Sequence, residues 1–132
     1  MSFNKDVEGL KYTKAPKEIL AKLHKKYGSW VQVNRRRYDL VFCSVLGVLN
    51  MAGDVVMSPQ GLCDVESKAL FILFTEHTEL MESTLIHEIG HAEIHESGFK
   101  QRDDWCGNNE EHLVETIGES LSYNYEIKRR LK

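Results

Sequence analysis

The sequence predicts an α+β fold: a small three-stranded sheet with an N-terminal helix, a central histidine-rich helix and a C-terminal glutamate-bearing helix. Three observations predict it. An early stretch carries apolar residues on one side and is bracketed by a proline and a glycine. Runs rich in valine, leucine and phenylalanine, broken by glycines, fill the middle of the chain. From Thr78 onward the pattern turns helical and stays so, one loop apart, to about Leu131. Strands and helices segregated in this way pack as a sheet backed by helices.

The elements follow in order. "APKEILAKLHKKYG" reads as the first helix: Pro16 stands near its start, Ile19, Leu20 and Leu23 share a side, and Gly28 ends it. "YDLVFCSVLGVLNMAGDVVMS" reads as two strands with tight turns, punctuated by Gly47 and Gly53. "KALFILFTE", apolar with polar ends, reads as the third strand. Thr78 is placed to cap the next helix, whose first turn carries Glu79 and Glu82 where the helix dipole favours acids. Gly98 is its natural stop. After the loop "FKQRDDWCG", Asn108 or Asn109 can cap the last helix.

Bulk properties bound the function. The chain has 132 residues, 42% hydrophobic and 28% charged, as expected of one soluble domain. No repeat, linker or low-complexity segment divides it. A formal net charge of -3 gives no overall field drawing it to nucleic acid or membrane. The local basic clusters "NRRRYD" and "KRRLK" read as solvated surface. Arg35, Arg36 and Arg37 lack interleaved aromatics, which weighs against a nucleic-acid module. Cys43, Cys63 and Cys106 are odd in number, widely spaced and form no CxxC pair, which argues against a disulfide framework or a cysteine zinc knuckle. The N-terminus has no apolar run of a signal peptide, and no stretch approaches the ~20 apolar residues of a membrane span. The expected setting is a reducing cytoplasm.

Chemistry concentrates in "STLIHEIGHAEIHESGF". At about 100° per residue, His91 falls about 40° from His87, and both lie beside the apolar side formed by Met81, Leu85, Ile89 and Ala92. Glu79, Glu82 and Glu93 occupy the opposite arc. Two imidazoles four residues apart can reach one ion. Glu88, next to the first of them, can take a proton from a metal-activated water and pass it to a leaving amine. "HEIGH" therefore fits the HExxH pattern of zinc peptidases. Chance alone produces such a match in roughly 3% of chains of this composition, so the helical context carries part of the weight.

A catalytic zinc needs a third protein ligand. His95, Glu110 or Glu111, His112 and Glu115 are the candidates. His95 lies roughly 6 Å further along the helix, too far for a shared bond. On the last helix Glu111 borders an apolar face formed by Leu113, Val114, Ile117 and Leu121, and Gly118 would let that helix approach another backbone closely. Glu111 can thus point across a helix–helix contact, with Glu115 behind it to accept a ligand histidine's second N–H. As acids in a first turn, Glu110 and Glu111 equally suit the helix dipole with no metal at all.

"HEIGH" followed by "NEEHLVETIG" resembles the gluzincin metallopeptidases, the thermolysin-like group, and in size the minimal ImmA/IrrE-type enzymes often encoded by phages and mobile elements. The resemblance spans roughly Val41 to Tyr125. It implies one zincin-like domain over residues 1–132, with zinc held by His87, His91 and Glu111, Glu88 as general base and Glu115 supporting a ligand histidine. It implies a peptide or protein substrate, hydrolysed by a metal-activated water. It also makes "KALFILFTE" the edge strand to which an extended peptide adds. The chain departs from the family in having glutamate rather than aspartate at 115, and "EHLVET" lacks the small-residue run of the ImmA/IrrE group. No residue clearly matches the oxyanion-steadying histidine or tyrosine of larger relatives. A zinc-holding but catalytically weak or inactive scaffold that binds a host or regulatory protein is therefore the alternative function.

Overall fold

The longest strand, β3 (Arg36–Leu49), organises the sheet. The computed structural model describes residues 9–97 together with Glu110, Glu111 and Val114. β1 (Gly9–Lys14) and β2 (Trp30–Val33) both pair antiparallel with β3, β1 along its second half and β2 along its first. Helix α1 (Lys17–Tyr27) is the excursion between them. The two-residue loop Asn34–Arg35 joins β2 to β3, with Asn34 at φ 56. β4 (Val55–Met57) returns as a short hairpin partner of β3. β6 (Ala69–Leu73) runs parallel to β3, and β5 (Gly61–Asp64) pairs antiparallel with β6. The strand order is β1-β3-β6-β5, with β2 and β4 attached to β3. Helix α2 (Thr78–Ser97) follows.

The expected three-stranded sheet is thus corrected to a mixed sheet of six strands, within an arrangement that stays broadly α+β. The three expected helices are corrected too: the described residues contain two, α1 and α2. Of the expected C-terminal helix only Glu110, Glu111 and Val114 are described, each helical. The strands that periodicity missed are short and mixed in character: "GLKYTK", "WVQV" and "GLCD" contain no sustained apolar run. Gly47 lies within β3 rather than in a turn, whereas Gly53 is in the β3–β4 turn at φ 84, a conformation that favours glycine. "KALFILFTE" does supply a strand, but β6 is interior, with β3 on one side and β5 on the other. The edge strand on that side of the sheet is β5.

A bulge decides which side chains of β3 face inward. Thr13 pairs with Val45 and Lys14 with Cys43, so Ser44 is the extra residue. Before it, Val41 and Cys43 face one apolar cluster; after it, Leu46 and Val48 do, because a one-residue slip reverses the alternation. Val45 is left 47% exposed in consequence. That cluster also takes in Leu62, Ala69 and Phe71. The opposite side of the sheet carries Tyr38, Leu40, Phe42, Leu70 and Ile72, covered by Leu23 and Tyr27 of α1 and by Met81, Leu85, Ile89 and Ala92 of α2. Both helices therefore lie on one side of the sheet. Among the described residues, no helix is long and apolar enough to cross a membrane.

α2 is held at both ends. His77, rather than Thr78, caps its start: the Leu80 N–H donates to His77 Nδ1 at 3.3 Å and the Met81 N–H to the His77 carbonyl at 3.1 Å. Tyr27 donates its hydroxyl to Glu82 at 2.6 Å, tying α1 to the first third of α2. At the far end Glu96 accepts from Tyr38 at 2.8 Å and from Lys68 at 2.7 Å. Burial opposes ionisation of Glu96, but the Lys68 and Tyr38 hydrogen bonds and the Lys68 charge outweigh it and hold its carboxyl below the ordinary value.

Candidate metal centre

The middle of α2 meets two neighbours at once. One side lies on the sheet through Met81, Leu85, Ile89 and Ala92. The other meets Val114: a Cβ added at Gly90 would lie 3.1 Å from Val114 Cγ1 and 3.6 Å from its Cα. Glycine inside a helix is unfavourable by about 1 kcal/mol relative to alanine, and this close approach is the packing reason for it here. Gly90 thus does what the sequence assigned to Gly118, which lies outside the described residues.

That approach brings Glu111 to the histidines. His87 Nε2 and His91 Nε2 are 3.2 Å apart. Glu111 Oε2 is 3.2 Å from His87 Nε2, and Glu111 Oε1 is 3.2 Å from His91 Nε2. Ligand atoms bound about 2 Å from one tetrahedral ion sit roughly 3.3 Å from one another. The three side chains therefore present donor atoms at the spacing one small ion requires, and the imidazole, imidazole, carboxylate set suits zinc. His87 and Glu111 are accessible, at 35% and 60% side-chain exposure, while His91 is 2% exposed. The set is thus open on one side only.

Glu110 occupies the other side of His91, its Oε2 against Nδ1. A carboxylate there accepts the Nδ1 hydrogen and leaves Nε2 as a lone-pair donor. The sequence assigned the support of a ligand histidine to Glu115, which lies outside the described residues; at His91 the carboxylate in contact is Glu110. Burial lowers the pKa of His91 against the opposing charges of Glu88 and Glu110, which favours the neutral imidazole a metal needs.

Glu88 is 3% exposed, yet it forms part of the wall of a cleft of about 380 Å³. Gln60 and Gly61 of the β5 side bound this cleft, Thr84 and His87 of α2 line its floor, and Glu111 stands at its rim. The remaining candidates fall elsewhere. His95 is exposed and outside the converging set. His77 is engaged at the helix cap. His112, Tyr123 and Tyr125 lie outside the described residues. Sequence reasoning missed Gly61 and Gly90 as shaping residues, and only the second had a local signal, as a glycine inside a helix. Cys43 and Cys63 are buried thiols away from the set, and burial pushes Cys43 up to about 11.

Comparison with known proteins adds no relative: no family model, curated protein or solved structure matches the chain.

Proposed function

We propose that the protein is a zinc-dependent metallopeptidase of the gluzincin kind. The observation that carries this reading is the convergence of His87, His91 and Glu111 at mutual distances of 3.2 Å beside a cleft walled by Glu88. Zinc held by these three residues would supply the Lewis acidity that lowers the pKa of a water towards ~7 and polarises a peptide carbonyl.

The chain's own groups do the rest. Glu88 takes the proton of the attacking water and delivers it to the leaving amine nitrogen. Its position in the cleft wall, next to His87 in sequence, supports this role. Glu110 fixes the tautomer of His91. The substrate strand adds along β5 rather than β6. Leu73 N–H donates to the Gln60 carbonyl at 2.7 Å, so Gln60, Leu62 and Asp64 address β6, and Gly61 turns its backbone N–H and C=O to the outer edge, beside the cleft. An extended peptide suits that edge. The buried thiols fit a reducing cytoplasm as the working compartment.

The test is incubation with denatured casein, with and without a chelator, for the parent and Glu88→Gln. Chelator-sensitive fragments are expected from the parent, with Glu88→Gln slower by about 10²-fold or more at unchanged zinc content. Zinc binding without any cleavage would favour the alternative, a metal-holding module that captures a regulatory protein. Parental cleavage by Glu88→Gln would remove Glu88 as the base.

A further inference from the structure

We propose that Gly61 is the positioning residue for Glu88: its missing side chain is what lets the edge strand β5 close on α2 and set the glutamate into the cleft wall. This rests on the reading of Glu88 as general base. The backbone at Gly61 is not left-handed, so conformational freedom does not explain a glycine there; space does. A Cβ at this position would lie 2.5 Å from Thr84 Cγ2, 2.9 Å from Glu88 Cγ and 3.1 Å from Glu88 Oε2. Cβ atoms in proteins essentially never approach another heavy atom below 3.0 Å, so two neighbours must move. The Glu88 atom met first is Cγ, near the root of the side chain, so a small rotation of the carboxylate does not relieve the contact.

The contact is directional. Gly61 touches α2 at Thr84 and Glu88, on the β5 side. Glu111 is brought in by the separate approach of Val114 to Gly90. A side chain at 61 therefore displaces the base and leaves the ligand set where it is. Glu88 is 3% exposed, so it is held on several sides and a push at its Cγ cannot be absorbed in open solvent.

The experiment compares Gly61→Ala, Thr84→Ser and Gly61→Ala/Thr84→Ser with the parent and Glu88→Gln. Thr84→Ser removes Cγ2 and keeps the hydroxyl that donates to the Leu80 carbonyl at 3.0 Å. The double variant thus relieves the Thr84 clash and retains the Glu88 clash. Zinc stoichiometry, thermal midpoint, and kcat and KM on labelled denatured casein are measured. Gly61→Ala is expected to keep parental zinc and to lose about 100-fold in kcat, with KM within about threefold. Thr84→Ser is the reference for the loss of Cγ2, and the double variant is expected to regain thermal stability relative to Gly61→Ala while its kcat stays about 100-fold below that of Thr84→Ser. Recovery of kcat in the double variant, parental kcat in Gly61→Ala, or loss of zinc or of folding in both alanine variants would each overturn the proposal by making Gly61 merely structural. A crystal structure of Gly61→Ala gives a readout free of catalysis. The Glu88 carboxyl is expected to leave the wall while His87, His91 and Glu111 superpose on the parent, and an unmoved Glu88 overturns the proposal even if the protein cleaves nothing.

Discussion

At His91 two carboxylates divide one ring, Glu110 against Nδ1 and Glu111 against Nε2. The two acids are adjacent in sequence; the pattern "NEEH" singled out Glu111 as the ligand and offered Glu110 nothing beyond the helix dipole. One residue of helix turns a side chain by about 100°, enough to send one glutamate to each edge of the ring. Glu110→Gln is expected to weaken zinc binding by about 10- to 100-fold, as loss of such a supporting carboxylate does, with the ligand set intact; competition with a chromogenic chelator measures it. The buried ring also makes stability depend on pH. Its pKa is lowered in the fold, so the unfolded chain takes up a proton first as pH falls below the ordinary value of 6.5. Full stability from this group is present above that value and is lost as pH falls towards the folded pKa. Denaturant unfolding of the metal-free protein between pH 7.5 and 5 should give a falling midpoint, with a smaller fall in His91→Gln.

At the scale of elements, α2 is the member that the sequence described best and still incompletely. Its span, the inward side from Met81 to Ala92 and the neighbouring placement of His87 and His91 were all legible from a 3.6-residue period. What periodicity could not reveal is that α2 is buried on a second side as well. Ile86 and Gly90 are buried together with Met81 and Leu85, because α2 lies between the sheet and the segment carrying Val114. A helix covered from two directions loses the single-stripe signature on which amphipathic reading depends. Strand register was illegible for a related reason: the bulge at Ser44 reverses inward and outward halfway along β3 without any glycine or proline to announce it. Gly90→Leu is expected to drive the Val114 segment away and lower zinc affinity at least tenfold while α2 persists, read by helical circular dichroism alongside metal titration. Overpacking of this kind costs about 1–3 kcal/mol.

For the whole molecule, two apolar clusters on opposite sides of one sheet need distant parts of the chain to agree on geometry, and Glu96 is where they are fastened. It joins the last turns of α2 to Tyr38 on β3 and to Lys68 in the β5–β6 turn, while Asn34 of the β2–β3 loop donates to its carbonyl at 3.3 Å. Lys68 sits at φ 56, an uncommon conformation for a residue with a side chain. Each of these partners lies 28 or more residues from Glu96 in sequence, so nothing local signalled the cluster. The broad α+β character was legible because it needs only element types; the six-stranded topology was not, because β1, β2 and β5 exist through pairing rather than through apolar runs. Tyr38→Phe is expected to destabilise the fold by about 1–3 kcal/mol, as loss of a hydrogen bond to a charged group does, and to leave zinc stoichiometry unchanged. Because the Glu96 carboxyl is held below its ordinary value, its contribution is present above about pH 4.5 and is lost as pH falls through the folded value. The acid unfolding limb should flatten in Glu96→Gln.

The most direct measurement is the zinc content of protein purified without added metal and then equilibrated with one equivalent of zinc, for the parent, Glu111→Ala and Glu115→Ala. One zinc per chain in the parent and in Glu115→Ala, with most of it lost from Glu111→Ala, is the predicted result. A parent that takes up no zinc, or a Glu111→Ala protein that holds it as firmly as the parent, would contradict the metal centre and the hydrolysis built on it.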